Sequence, residues 1–298
     1  MIKESDLIHT AALVGPRAAY LLSRLYKKPI VNTVYEVLGK SWFYLEPNFF
    51  KKRIYFFIEK LTFKLNFDKF VGISYYTKNC MRTVYGVKDS RLRTIYCSLD
   101  ADLYGFKANK KIIEKYDLPA DYILSFGRPG LTKGINFLVE SIDLIKTDIT
   151  LVLILSKDPV EGRTKIEDLI KNLKNKDKII VLDSLPKHEL YNIIFFSKLV
   201  VVPSLTEGFG FSAAESSFFG KPVIATNIGS LPEVIKDKET GILVDPANPR
   251  ALAEGIEYLF PNHNLIKKFS KNGSAYIKKF NRETMIKQYV CLYRELLR

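Results

Sequence analysis

Residues 199–226 read LVVVPSLTEGFGFSAAESSFFGKPVIAT. A β-branched run ends at Pro203, a glycine-bracketed loop follows, a segment at helical spacing occupies 211–220, and a second apolar run covers 222–226. Strand, loop, helix and strand make a βαβ unit, the crossover that parallel strands require. The same alternation extends outward. Apolar runs fall at 122–127, 149–155, 178–183, 199–203, 222–226 and 241–244, with helical spacing at 134–146, 161–174, 187–196, 211–220, 231–236 and 249–260. Strands that read as continuous apolar runs are covered by helices on both faces. The stretch from 121 to about 270 is therefore one Rossmann-like domain of six such units.

The first half is shorter. Strands are expected at 6–10, 29–35, 69–74 and 92–97, with helices at 15–27, 49–66 and 75–85. Residues 105–120, polar and lysine-rich, read as an interdomain connection. The expected division is an N-terminal domain of 1–108, a second domain of 109–272 and a helical tail of 273–298. Met285, Ile286, Tyr289, Val290, Leu292, Tyr293 and Leu296–Leu297 make the tail amphipathic, and it is expected to fold back on the N-terminal domain.

Composition narrows the setting. The chain has 298 residues, 47% of them hydrophobic, so wholesale disorder is excluded. No apolar run reaches the ~18 residues of a membrane span. The N-terminus lacks the charged and apolar regions of a signal peptide. Cys80, Cys97 and Cys291 form no CxxC pair, which argues against a disulfide framework or zinc site and for a reducing cytoplasm. Residues 1–110 carry 19 Lys/Arg against 9 Asp/Glu, a surplus of +10 out of a net +14. A basic first half fits an anionic partner.

Two loops carry candidate chemistry. In SFGRPGLTKGINFL (125–138), Gly127 ends a strand and Arg128 and Lys133 flank the turn into a helix. Ligands of open α/β sheets bind at that carboxyl edge, where a guanidinium can fork onto phosphate oxygens and an ammonium adds a compact charge. An ordinary turn with surface cations would read the same. In the opening stretch, Glu207 precedes and Glu215 follows a helix start. Backbone amides there suit an anion, whereas carboxylates suit hydroxyls and can accept two hydrogen bonds from a diol. Polyol, diphosphate, polyol is the layout of a nucleotide sugar. The plainer reading is two solvated glutamates near a helix dipole.

Four ordered elements, Gly127–Arg128…Lys133–Gly134, Glu207-GFGFSAA-Glu215, GSLPEVI (229–235) and GILVDPAN (241–248), resemble the donor domain of the family 4 GT-B glycosyltransferases. The resemblance implies an α/β fold of two Rossmann-like domains with parallel sheets, the N-terminal one incomplete here. It implies that Gly127, Arg128 and Lys133 hold the donor diphosphate. Glu207 would contact the transferred sugar and Glu215 the ribose, while Gly208, Phe209, Gly210 and Phe211 bring backbone to the phosphates and sugar. Transfer would retain anomeric configuration and need neither cofactor nor metal. Asp100 and Asp102 superficially match a metal-binding DxD but align with a structural element of this family.

The N-terminal half resembles the same family from its fourth strand onward. Either the start lies upstream or in a second chain, or the form is naturally short. Tyr35, on the acceptor side, occupies a position where the family often has histidine. Cys97–Ser98 replaces its Asn-Gly, and His9, His188 and His263 are read as structural or surface residues.

Residues 40–67 hold ten aromatics, six Lys/Arg and two Glu. At ~100° per residue, Phe50, Ile54, Phe57, Ile58, Leu61 and Leu65 share the face expected to be core. Phe49, Phe56 and Phe63, with Lys52, Arg53, Lys60 and Lys64, share a face expected to meet a membrane surface over 49–65. A solvated basic edge is the bland alternative, and nucleic acid is disfavoured for want of a motif. The sequence thus reads as a hexosyltransferase using a nucleotide-diphosphate sugar and a glycan or lipid-linked acceptor at the cytoplasmic membrane face. The alternatives are a nucleotide-sugar-binding subunit needing a second chain and, less well matched, a GT-B epimerase.

Overall fold

The structure, a computed structural model, describes residues 3–11, 16–46 and 48–298. It divides into two compact units, one of residues 1–98 with Phe280–Arg298, the other Leu99–Lys279.

In the first unit, β1 (Ile8–Ala11), β2 (Ile30–Val34), β3 (Lys69–Gly72) and β4 (Leu92–Thr94) lie side by side in chain order, all parallel. Right-handed crossovers that always step the same way leave their helices on one face. The packing shows this. Ile30, Val34, Phe70 and Leu92 meet Phe63 and Met81, with Tyr20 against them, so helices Pro16–Leu25, Phe49–Lys64 and Tyr75–Tyr85 share one core. The other face presents Val31, Val71 and Ile95. It is covered by the helix Arg282–Leu296 through Leu292, Met285, Tyr289, Tyr293 and Leu296.

The orientation of helix Phe49–Lys64 corrects the sequence reading. Glu59, Thr62 and Phe63 are buried, while Phe50, Ile54, Phe57 and Leu61 are exposed. Four residues of the expected core face are turned outward while Ile58 and Leu65 are half-buried, and Phe63 of the expected membrane face is core. Glu59 decides this. Its buried carboxylate accepts hydrogen bonds from the amides of Leu38 (2.9 Å) and Gly39 (2.8 Å), Trp42 Nε1 (3.0 Å) and the Tyr85 hydroxyl (2.7 Å). A carboxylate is buried only where donors replace its water.

In the second unit, β5 (Ile123–Gly127), β6 (Leu151–Leu155), β7 (Ile179–Asp183), β8 (Leu199–Val202), β9 (Val223–Thr226) and β10 (Gly241–Val244) form one parallel sheet, ordered β10-β9-β8-β5-β6-β7. The chain runs outward from β5 to β7, then returns to β8 on the other side of β5. That reversal opens a crevice at the carboxyl ends of β5 and β8, where ligands bind in such sheets.

The units divide at 98/99 and 279/280 rather than at 108/109 and 272/273. Leu99 and Leu103 are buried, and beyond helix His263–Tyr276 the turn Ile277–Lys279 buries Ile277. Nor is 105–120 a free connection. Ile113 and Leu118 are buried, the Asn109 amide donates to Asn192 Oδ1 (2.6 Å), and Lys115 pairs with Glu189 (2.7 Å). These contacts dock the segment on helix Lys187–Phe196.

Glu59→Gln turns one acceptor oxygen into a donor facing donors. It is expected to destabilise the protein by about 1–3 kcal/mol in chemical denaturation, the cost of unsatisfied buried polar groups. Unchanged stability would contradict the anchoring role.

Candidate active site

The loops after β5 and β8 are built as one object. The amide of Leu205 donates to the carbonyl of Thr132 at 2.7 Å. Gly134, at φ +60°, lies under Pro203, and a Cβ there would stand 2.0 Å from the Pro203 carbonyl oxygen. Only glycine permits both the left-handed backbone and this approach. The contact seats Lys133, one residue earlier, against Glu207: Nζ donates to Oε2 at 2.8 Å. Ser204 Oγ donates to the same oxygen at 3.1 Å, and its own carbonyl accepts from Thr226 Oγ1 at 2.5 Å.

The Glu207 backbone is clamped as well. Its carbonyl accepts from the Ser230 amide (3.1 Å) and Ser230 Oγ (3.1 Å). A Cβ on Gly229 would approach that carbonyl oxygen to 2.4 Å. The GSLPEVI element thus holds Glu207 in place from β9. Arg128 is exposed and, among the described residues, its guanidinium has no ion-pair partner. Its loop therefore carries one cation already paired with Glu207 and one open to an anion.

Beyond Glu207 the chain passes Gly208 and buried Phe209 to Gly210, which heads helix Phe211–Phe218. Phe209 and Phe211 meet edge-on with centroids 4.9 Å apart, which fixes the loop around the helix start. Glu215 lies one turn in, half-buried, near Asp100, Lys187 and Tyr191. Its carboxyl is pushed up to about 7, mainly by burial, with the Asp100 charge acting the same way and Lys187 opposing. Asp100 itself is engaged by Lys187 and accepts from the Asp102 amide at 3.1 Å, so it caps the turn Ala101–Gly105. The hydrogen bond from Lys187 holds the Asp100 carboxyl below its ordinary range. No cluster of three or more His, Cys, Asp or Glu that could hold a metal ion occurs among the described residues.

Ser204, Thr226, Ser230 and Lys187 were not singled out from the sequence. Ser204 and Ser230 lie within the quoted elements and were legible there as small polar residues beside strand ends. Lys187 had no signal beyond its place at a helix start after β7.

Tyr35 belongs to the first unit, half-exposed at the carboxyl end of β2. With Thr33, Cys97, Met285 and Tyr289 it lines a cavity of about 230 Å³. His9 stands beside it in a polar chain, with Nε2 2.8 Å from Thr33 Oγ1 and Nδ1 2.6 Å from the Tyr293 hydroxyl.

The family Glycosyl transferases group 1 matches residues 107–276, and Glycosyltransferase Family 4 matches residues 2–103. An uncharacterized glycosyltransferase of Methanocaldococcus jannaschii is 32% identical over 167 residues, which are 55% of this chain and 45% of the relative. The D-inositol 3-phosphate glycosyltransferase of Xylanimonas cellulosilytica is 25% identical over 285 residues, covering 92% of this chain and 68% of the relative. Among solved structures, sucrose-phosphate synthase from Thermosynechococcus elongatus is 26% identical with a TM-score of 0.84, over 98% of this chain and 73% of that one. The matched region is thus less than half of the archaeal relative and about two-thirds or more of the other two proteins.

The raised Glu215 carboxyl has a measurable consequence. The folded protein holds that proton more tightly than the unfolded chain does, so the stabilisation it gives is fully present below the unfolded value near 4.3 and is lost as pH rises through about 7. Glu215→Gln cannot ionise. Its melting temperature relative to the parent is expected to increase between about pH 4 and pH 7 and to level off above that in thermal unfolding. A difference independent of pH would show that Glu215 is not held protonated.

Proposed function

The chain belongs to the Glycosyl transferases group 1 family and has the GT-B fold of two Rossmann-like units; on that premise we propose that it transfers a hexose from a nucleotide-diphosphate sugar to a hydroxyl of a glycan or lipid-linked acceptor, with retention of anomeric configuration. The observation that carries this reading is the joined pair of loops at the crevice between β5 and β8. It joins Lys133 and Glu207 on one loop pair with Arg128 exposed beside them, which supports a reading in which this edge receives a diphosphate and its sugar.

In this reading Arg128 forks onto the diphosphate and Lys133 adds a second charge. Amides of Gly208–Phe211 face the same anion at the helix start. Glu207, held by Lys133, Ser204 and the Ser230 turn, accepts from hydroxyls of the hexose and orients its anomeric carbon. Glu215 accepts from the ribose diol, and binding of the diol favours its ionised form. The bond from the anomeric carbon to phosphate oxygen breaks while the acceptor oxygen attacks from the same face. The acceptor proton passes to the departing phosphate, whose charge Arg128 and Lys133 stabilise. Catalysis is then positioning and electrostatic stabilisation. The two cations supply the charge neutralisation that a bound metal would otherwise provide, and Asp100 is committed to Lys187. Tyr35 is assigned to the acceptor side, at the carboxyl edge of the first sheet.

The test is a thermal-shift screen with UDP-, GDP- and ADP-sugars, since a ligand that binds only the native state raises its melting temperature. At least one is expected to shift it. Arg128→Ala is expected to weaken that binding by about tenfold to a hundredfold, the scale of a charge-assisted hydrogen bond. Glu207→Gln is expected to lower kcat by roughly 10²-fold or more with donor binding kept within a few-fold. No shift with any donor, or normal turnover of Glu207→Gln, would overturn the assignment.

A further inference from the structure

The outer surface of the first unit's helical layer is apolar where a solvated protein is usually polar. Phe50 is 73% exposed, Phe57 59% and Ile54 53%, with Leu61 one turn further along. At ~100° per residue these four lie within a narrow stripe of helix Phe49–Lys64, at i, i+4, i+7 and i+11. Phe49 and Tyr44, near the N-terminal end of the helix, are exposed as well. Leu21 and Leu25, on helix Pro16–Leu25 over the same face of the sheet, are exposed too. Scattered exposed leucines need no explanation, but a continuous stripe does.

The exposed charges of the helix itself have one sign. Arg53, Lys60 and Lys64 border it on one side and Lys51 on the other, all exposed. The helix has one acidic residue, Glu59, and it is buried under Leu38, Gly39, Trp42 and Tyr85. Arg53 stacks on the Phe49 ring at 4.4 Å. No helix among the described residues is long and apolar enough to cross a membrane.

We propose that this face docks on an anionic lipid bilayer. The Phe50–Ile54–Phe57–Leu61 stripe would enter the headgroup boundary and the flanking Lys and Arg would contact lipid phosphates. The partner is set by chemistry: apolar side chains flanked by cations, with the one acid withdrawn, match a surface that is greasy within and negative at its rim. Long basic side chains can keep their stems along the apolar layer and their charges at the phosphates. A protein partner that fits equally well would need a matching acidic rim, and a second copy of this basic face would repel it. The inference does not depend on the assignment of the donor site.

The experiment is co-sedimentation with vesicles of phosphatidylcholine alone or with about one-third phosphatidylglycerol, read beside melting temperature and light scattering. The parent protein is expected to bind the anionic vesicles and not the neutral ones. Phe50→Ser/Phe57→Ser, at exposed positions, is expected to keep its melting temperature and lose at least about tenfold in partitioning. Each of Lys51→Gln, Arg53→Gln and Lys60→Gln is expected to lose roughly fivefold, an effect that added salt reproduces. Failure of the parent to bind, or equal binding by the double serine variant, would overturn the proposal. So would a dimer in solution that the same variant dissolves, since the stripe would then join two copies. A donor thermal shift that persists in the serine variant separates this outcome from failure of the glycosyltransferase reading.

Discussion

The site depends on one close approach, Gly134 beneath the carbonyl of Pro203. Neighbouring parallel strands diverge into separate loops at their carboxyl ends, and here the loops after β5 and β8 lead to helices on opposite sides of the sheet's reversal. A crevice so formed is wide unless something draws its walls together. The missing side chain at Gly134 and the hydrogen bond from Leu205 to Thr132 do that, and they place Lys133 within 2.8 Å of Glu207. Ser204 of the same loop and Ser230 beyond β9 then hold the glutamate, one through its carboxylate and one through its backbone. Such convergence gives a side chain of several rotatable bonds a single position, which a positioning role requires.

Glu215 is governed by a different balance. Its burial beside Asp100 disfavours its charge, and Lys187, which would help it most, is already given to Asp100. The carboxyl is left poised near neutrality, costly to ionise as it stands. Functional groups are often held in such states at some expense to stability. The contrast with Glu59 is instructive. Both are partly or wholly withdrawn from water, but Glu59 meets amide, indole and phenol donors of its own chain, so it serves the fold.

Much of the second unit was legible because its signals are local. Six apolar runs with helices between them specify parallel strands. The glycines at 127, 134, 208 and 210 mark the loops, and Glu207 and Glu215 fall where those loops meet the helix. The serines that support Glu207 are less visible, since a serine beside a strand end is common and Ser230 lies 23 residues from the glutamate it holds. Helix Phe49–Lys64 was misread for a physical reason. It carries aromatics around most of its circumference, so periodicity detects a helix without identifying its inner face. The inner face follows from Glu59, whose donors come from 38–42 and Tyr85 and are invisible to any window of sequence. The connection at 105–120 failed likewise: its lysines suggested solvent, but Ile113 and Leu118 are the residues that dock it.

The two sheets also account for the path of the chain. In the second unit the strand order reverses at β5, so helices fall on both faces and the sheet is covered by its own crossovers. In the first, β1 to β4 advance one way and all the crossovers fall on one side. Val31, Val71 and Ile95 lie on the other side, which none of the crossovers between β1 and β4 covers. The helix Arg282–Leu296 covers them, which is why the last residues of the chain belong to the first unit. The crowded face has the opposite condition. Three helices share it, and helix Phe49–Lys64 turns a second apolar stripe outward. The single direction in which β1 to β4 advance thus leaves one face to the helix Arg282–Leu296 and puts helix Phe49–Lys64, with its outward stripe, on the other.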